Sequence, residues 1–268
     1  MELRLVQWNI SAAGRSVEIA DFTVGRVGHG LTVVSLEGVN RSSYETLVRL
    51  LKPTSSCFSL DLREPSSNEG DERKLGIGAL GFGLSIMSME LMGRALYPER
   101  TLSVVLGDAS GPIRVATFDS LSGIPYPTAK NSNYASVADY LELQRSKLDF
   151  LCFDAYEPKQ EGSCLQPHMG KAEGSAFILG PRQVHDLSDS YAEYLGSKGE
   201  PVTADPHTVS YVLTSSGQKH AEKHYDYIMH DGRRWHVANC EYPLEESIAA
   251  GSDHSAVIAD FEEQRTVT

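Results

Sequence analysis

Residues 251–261 read Gly-Ser-Asp-His-Ser-Ala-Val-Ile-Ala-Asp-Phe, and their second half alternates Val257, Ala259 and Phe261 against Ile258 and Asp260. A period of two belongs to a half-buried β-strand, so an acid and an imidazole, Asp253 and His254, stand at a strand's mouth. Adjacent residues there can both enter one cleft, because the pleat has not yet begun to send them to opposite faces. An Asp in that position can hold its neighbour's ring, or a metal-bound water, in one protonation state. The same residues also read as an Asp turn beside a surface histidine, so the rest of the chain has to decide.

The rest is rich in short alternating runs. Residues 2–10 set Leu3, Leu5, Gln7 and Asn9 against Arg4, Val6, Trp8 and Ile10, and stop at a Ser11-Ala12-Ala13-Gly14 turn. A second strand, 31–36, runs into Glu37-Gly38-Val39-Asn40, and 42–51 has the periodicity of a capped helix ended by Pro53. Residues 64–74 read as a polar surface loop and 82–89 as strand. Residues 102–106 and 113–118 form a hairpin around Gly107-Asp108-Ala109-Ser110-Gly111. A Pro/Asn-rich loop at 122–133 precedes a helix at 136–147 and a strand at 149–153. A helical stretch follows at 188–194, with strands at 208–213, 225–230, 234–239 and 256–262. No composition break marks a linker. These runs predict one domain over 1–268, of the α+β class with a layered sheet core.

Composition removes several function classes. Thirty-six acidic against 24 basic residues give a net charge of −12, which disfavours a general nucleic-acid binder that must neutralise phosphates. Nucleic acid stays possible for a site with a local basic patch or a metal. Cys57, Cys152, Cys164 and Cys240 share no metal or disulfide spacing. No signal-like apolar region precedes the first strand, and no apolar run approaches the ~20 residues of a membrane span. The expectation is a cytoplasmic protein with no membrane span.

Four landmarks stand in order: Gln7-Trp8-Asn9-Ile10, then 33–39 (Val-Val-Ser-Leu-Glu-Gly-Val), then His224-Tyr225-Asp226-Tyr227-Ile228, and finally Ser252-Asp253-His254. Together they resemble the endonuclease/exonuclease/phosphatase superfamily, over residues 2–262. The resemblance implies a four-layer sandwich of two packed, mainly antiparallel β-sheets flanked by helices, with the site at one edge. It also implies hydrolysis of a phosphoester with Mg²⁺ or Mn²⁺ as cofactor. Under it Asn9 matches the asparagine that helps set the metal site. Asp253 matches the acid near the metal or supporting a histidine, and His254 the donor to phosphate oxygens. Asp226 matches the aspartate of the Asp-Tyr-Ile strand, in a supporting or substrate-binding place.

Three positions depart from the pattern. The metal-ligating Glu of Leu-Gln-Glu aligns with Gly38, which puts Glu37 one residue early and turns it to the opposite face unless a bulge at Gly38 brings it back. The usual strand-end histidine is Asp119. The Gly-Asp-x-Asn motif falls on Phe153-Asp154-Ala155-Tyr156, keeping the Asp and replacing the Asn by Tyr156; the rival placement at 180–183 loses the Asp. The expected site is then Asp154 as water base, His254 as oxyanion donor, and Asn9, Asp253 and Glu37 or Asp119 around the metal, with Tyr156 and Asp226 toward substrate. The leading expectation is cleavage of a small phosphorylated or phosphodiester substrate. The alternative is a repurposed or non-hydrolytic member without the usual metal site.

Other patterns carry less. The formal GxGxxG of residues 76–81 lacks the strand before and helix after that a dinucleotide site needs, and reads as glycines admitting a strand to a crowded sheet. His220, His224, His230 and His236 lack an accompanying glutamate and read as scattered histidines. Arg233-Arg234-Trp235 reads as a hairpin tip, and Ser85–Met89 with Met92 as a methionine-rich core strand.

Overall fold

The computed structural model describes residues 1–11, 15–28, 30–68, 70–109, 111–121, 127–144, 147–156, 174–180, 182–200, 209–215 and 218–264, with backbone only at 71–72, 127, 213–215 and 218–222. In chain order the elements begin β1 (Glu2–Asn9), α1 (Ser16–Val24), β2 (Leu31–Val39), α2 (Arg41–Leu51), β3 (Ser55–Phe58), α3 (Ser59–Leu62), β4 (Gly76–Phe82) and β5 (Ser85–Glu90). They continue β6 (Thr101–Asp108), β7 (Gly111–Asp119), α4 (Pro127–Gln144), β8 (Phe150–Asp154), β9 (Ser188–Asp189) and α5 (Ser190–Ser197). The last are β10 (Tyr211–Ser215), β11 (Gln218–Lys223), β12 (Asp226–His230), β13 (Trp235–Glu241), α6 (Leu244–Ala249) and β14 (Val257–Glu263).

One six-stranded sheet has the order β13-β14-β1-β2-β4-β3 and the other β5-β6-β7-β8-β12-β9. Each contains one parallel pair, β1/β2 and β7/β8, among antiparallel neighbours. Between the sheets lies a core that includes Leu3, Leu5, Val33, Val115, Phe150, Ile228 and Phe261. The outer face of the first sheet is covered by Ile19 and Phe22 of α1 with Tyr44 and Leu47 of α2. Tyr134, Val137 and Leu141 of α4 cover the second. This is the four-layer α+β sandwich that the resemblance implied.

Period-two alternation explains where the apolar core stops. On the inner face, β1 presents Leu3 and Leu5 to the core and then Gln7 and Asn9; β2 presents Val33 and then Ser35 and Glu37. Facing them, β7 runs Val115, Thr117, Asp119 and β8 runs Phe150, Cys152, Asp154. These four strands therefore turn from apolar to polar at the same edge. Ser35 Oγ and Thr117 Oγ1 meet across the sheets at 2.7 Å, marking that boundary.

Several local expectations are revised. The helix expected from residue 42 starts at Arg41, capped by Asn40, which accepts from Ser43 N, and α4 starts at Pro127, so the expected loop is helical from that residue on. Ser188–Asp189 forms a short strand whose Asp189 caps α5. The run 82–89 is split at Gly83, whose φ of +68° lets the chain leave the first sheet and enter the second. Ser85–Met89 is not a core strand: β5 is a sheet edge, with Met87 and Met89 exposed and only Met92 buried.

The glycines of 76–81 do serve packing. A Cβ at Gly81 would stand 2.9 Å from Leu84 O and 3.1 Å from Leu106 Cδ2, and one at Gly78 3.0 Å from Tyr44 Cδ2. Gly81→Ala is expected to destabilise by about 1–3 kcal/mol through overpacking, read as a lower urea midpoint; an unchanged midpoint would show the sheet gives way there. Trp235 is buried behind the Arg233–Arg234 tip, where Arg234 bonds Asp149 and Glu263. His230 sits on Ser190 and His224 beside Tyr242, so the described histidines 224 and 230 form no common metal set. The side chain of His220 and all of Cys164 lie outside the described residues. No described helix is long and apolar enough to cross a membrane.

Candidate active site

Three aspartates stand side by side at the polar edge of the second sheet. Asp119 on β7 is in register with Asp154 on β8, which is in register with Asp226 on β12. Opposite them the first sheet brings Gln7 and Asn9 from β1 and Glu37 from β2, where Asn9 and Glu37 are register partners. The loop before β14 adds His254, whose carbonyl is held by Trp8 Nε1 at 2.9 Å. Ser252 Oγ donates to Asn9 O at 2.6 Å and accepts from His254 N at 3.0 Å. The strand-one motif and the terminal Ser-Asp-His are thus stitched together.

Asp154 is the hub. Its Oδ2 accepts from Asn9 Nδ2 at 2.9 Å and lies 3.8 Å from His254 Nε2. Its Oδ1 accepts from Tyr156 N at 2.8 Å, and its own backbone N–H donates to Glu37 Oε2 at 2.8 Å. His254 Nδ1 pairs with Asp226 Oδ2 at 2.9 Å, while Gln7 Nε2 donates to Asp226 Oδ1 at 3.2 Å. Both carboxylate oxygens of Asp226 are therefore engaged inside the protein, and the residue stands behind the imidazole rather than facing a substrate. Asp253, whose side chain is 46% exposed, accepts from Ser11 Oγ and approaches His254 Nε2 to 4.0 Å.

Glu37 reaches this cluster more simply than its alignment suggested. It shares the inner face with Val33 and Ser35 by plain alternation, while Val34 and Leu36 face α1 and α2. The bulge at Gly38 exists, as a register shift between Leu36 and Val39 that spans Glu37 and Gly38. Gly38 has φ +63°, and a Cβ there would stand 2.6 Å from Asn9 Oδ1, so the glycine keeps room for the asparagine. Asp119 and Asp154 are joined through one crossover helix, α4, and the rival placement at 180–183 has no acid to bring to the cluster.

Arg100, missed in the sequence, lies against Asp119. Its Nη1 donates to Asp119 Oδ2 at 2.9 Å and to Ser120 O at 3.2 Å, and the residue is buried. The available signal was a charged pair, Glu99-Arg100, set directly before an apolar strand. Gln7 stands in the alternation of β1 and in the first landmark, but neither gives it a role.

The electrostatics follow from crowding. Glu37, Asp119, Asp154 and Asp226 are buried together, against the guanidinium of Arg100 and the ring of His254. Burial, then Asp119 and Asp154, push the Glu37 carboxyl well above its ordinary range. Burial raises Asp154 well above its own, against the opposing pull of His254. Burial also raises Asp119, although Arg100 works against it. For His254 burial favours the neutral ring, but Asp226 and Asp154 outweigh it and push the imidazole up to about 10. A group raised in the fold contributes stability that is complete below its unfolded value and is lost as pH rises through the folded value. The raised carboxyls act in the same direction. In chelator the urea midpoint is therefore expected to fall between pH 6.5 and 10, and added Mg²⁺ to restore part of it; a flat or rising midpoint would contradict this balance.

The donor set fits a hard divalent cation. Asp154, Asp226 and His254 each bring one ligand atom within 4.8 Å of the others, although the Nδ1–Asp226 hydrogen bond already occupies two of those groups. Glu37 Oε1 and Asp119 Oδ1 are buried carboxylate oxygens that accept no hydrogen bond among the described residues. Oxygen donors of this kind suit Mg²⁺ or Mn²⁺.

No protein-family model and no curated protein sequence matches the chain. Solved structures do. The human Nocturnin catalytic domain with bound sulfate superposes with a TM-score of 0.69 at 15% identity, covering 98% of this chain and 95% of that one. A 3′ phosphatase, NExo from Neisseria bound to a product DNA hairpin, gives 0.67 at 11% identity over 97% and 99% of the two chains. An endonuclease/exonuclease/phosphatase from Bacteroides vulgatus gives 0.66 at 13% identity over 98% and 100%.

Proposed function

From the premise that the chain carries the endonuclease/exonuclease/phosphatase fold, we propose that it is a phosphoester hydrolase acting with Mg²⁺ or Mn²⁺ on a small phosphorylated or phosphodiester substrate. The observation that carries this reading is Asp154 Oδ2, approached by Asn9 Nδ2 on one side and His254 Nε2 on the other. Glu37 and Asp119 would hold the cation, with Asn9 and Asp253 beside them. The ion supplies Lewis-acid polarisation of the phosphoryl oxygen and stabilises the leaving oxygen.

The remaining roles belong to side chains in hand. Asp154, fixed by Asn9 and by the Tyr156 N–H, accepts the proton of the attacking water. Asp226 holds the imidazolium of His254 in one orientation, with Nε2 free to donate to a phosphoryl oxygen as charge develops. Tyr156, whose ring lies edge-on to His254 with centroids 6.0 Å apart, contacts the substrate at the mouth.

The test is hydrolysis of phosphomonoesters and phosphodiesters with Mg²⁺ or Mn²⁺, lost in Asp154→Asn. No turnover of nucleic acids, nucleotides or phosphoinositides with any divalent ion would sink the proposal. The second reading, a non-hydrolytic member of the same fold, is favoured by the Arg100–Asp119 ion pair, which puts a fixed cation among the acids. Calorimetry showing no Mg²⁺ or Mn²⁺ binding to the folded protein would support it.

A further inference from the structure

A groove of about 320 Å³ adjoins the cluster, lined by Arg15, Val212, Ile248, Gly251, Ser252 and Asp253. Two of these residues belong to both places. Ser252 Oγ bonds Asn9 O, and Asp253 stands 4.0 Å from His254 Nε2. The groove thus shares Ser252 and Asp253 with the surroundings of the imidazole. Its lining is divided: Ile248 offers exposed apolar surface beside the buried Val212, and Arg15 is the one cation lining it among the described residues. Val212 is buried, its N–H held by Asp253 O at 3.1 Å.

The position of Arg15 depends on a glycine. Gly251 has φ +107°, and a Cβ there would stand 2.4 Å from Arg15 Cδ and 3.1 Å from its Cγ. A glycine there lets the arginine stem lie over the chain two residues before Asp253, where Arg15 lines the groove. Guanidinium is suited to planar, bidentate recognition of carboxylate or phosphate.

We infer that this groove is a specificity subsite for the organic group esterified to the phosphate, and that it selects an apolar body ending in an anion held by Arg15. The inference rests on the phosphoester reading above and adds the substrate's other half. The terminal anion could be a carboxylate or a second phosphate, which share the chemistry that Arg15 recognises.

The kinetic test compares phenyl phosphate, 4-carboxyphenyl phosphate and 1,4-phenylene bisphosphate with Mg²⁺ present. One or both anionic esters are expected to have a higher kcat/KM than phenyl phosphate, mainly through KM, and the preferred one identifies the anion. Arg15→Gln should reduce that preference about tenfold or more, and Arg15→Lys should retain part of it. Equal kcat/KM for all three, or a preference that Arg15→Gln leaves intact, overturns the subsite. A second arm needs no turnover. The phosphate-free compounds 4-hydroxybenzoate and phenyl phosphonate carrying a 4-phosphono group are titrated into the protein with Mg²⁺ while the methyl resonances of Val212 and Ile248 are followed. Saturable shifts with either, lost in Arg15→Gln, support the subsite even if no ester is hydrolysed, in which case the hydrolase reading alone fails. Absence of shifts with both overturns the subsite even if esters are cleaved.

Discussion

Replacing His254 with alanine is expected to reduce hydrolysis by at least about a hundredfold in kcat and to destabilise the fold by about 3–5 kcal/mol. The two losses share a cause. The imidazole lies between Asp226, 2.9 Å from Nδ1, and Asp154, 3.8 Å from Nε2, and all three groups are buried. Removing the ring leaves two carboxyls in a desolvated place with their charge partner gone. Asp226→Asn separates the effects, because it keeps the ring in place while removing the acid that favours its protonated form. Its kcat should fall more than its stability, and the His254 ring should titrate at lower pH by NMR. Full activity in His254→Ala would remove the imidazole from the chemistry altogether. A stable His254→Ala protein would instead show that the acids are satisfied by protons or a cation alone.

How much of this was legible in the sequence depends on which interactions define a residue's place. Strand alternation placed Asn9 on one face of β1, and the Ser-Asp-His motif placed His254 at the mouth of β14, because both depend on local backbone geometry. The same alternation also contained the answer for Glu37: Val33, Ser35 and Glu37 share a face by counting twos along β2. The motif letters Leu-Gln-Glu align Gly38 with the family's acid and hide that count, because motif spacing says nothing of which face a side chain takes. β5 failed for a different reason. Its methionines have the composition of a core strand, but whether a strand is central or at an edge depends on pairings far away in sequence. Arg100 failed likewise, since its partner Asp119 lies across the β6–β7 hairpin and its role comes from burial, which no motif records.

That buried pair makes the sharpest test of the site's electrostatics. Arg100→Ala is expected to destabilise by about 3–5 kcal/mol, since it leaves Asp119 buried without its guanidinium. The carboxyl is already raised by burial, with Arg100 the first influence lowering it, so removal of the arginine should leave Asp119 protonated over a wider pH range. Asp119→Asn alone leaves the guanidinium facing a neutral amide and should cost less than the arginine deletion, because the amide oxygen can still accept from Nη1. The double variant Arg100→Ala/Asp119→Asn removes both charges and is expected to recover much of what Arg100→Ala loses. A coupling energy of about 0.5–3 kcal/mol from urea denaturation of the four proteins would fit direct contact. Additive losses would mean that Arg100 matters through its packing rather than through Asp119. The cycle also separates the two functional readings. If Asp119 helps to hold a cation, the single Asp119→Asn change should weaken Mg²⁺ binding in calorimetry whatever it does to stability. If Arg100 is the site's permanent cation, Mg²⁺ binding should appear or strengthen in Arg100→Ala, where the acids are left with a positive charge to replace.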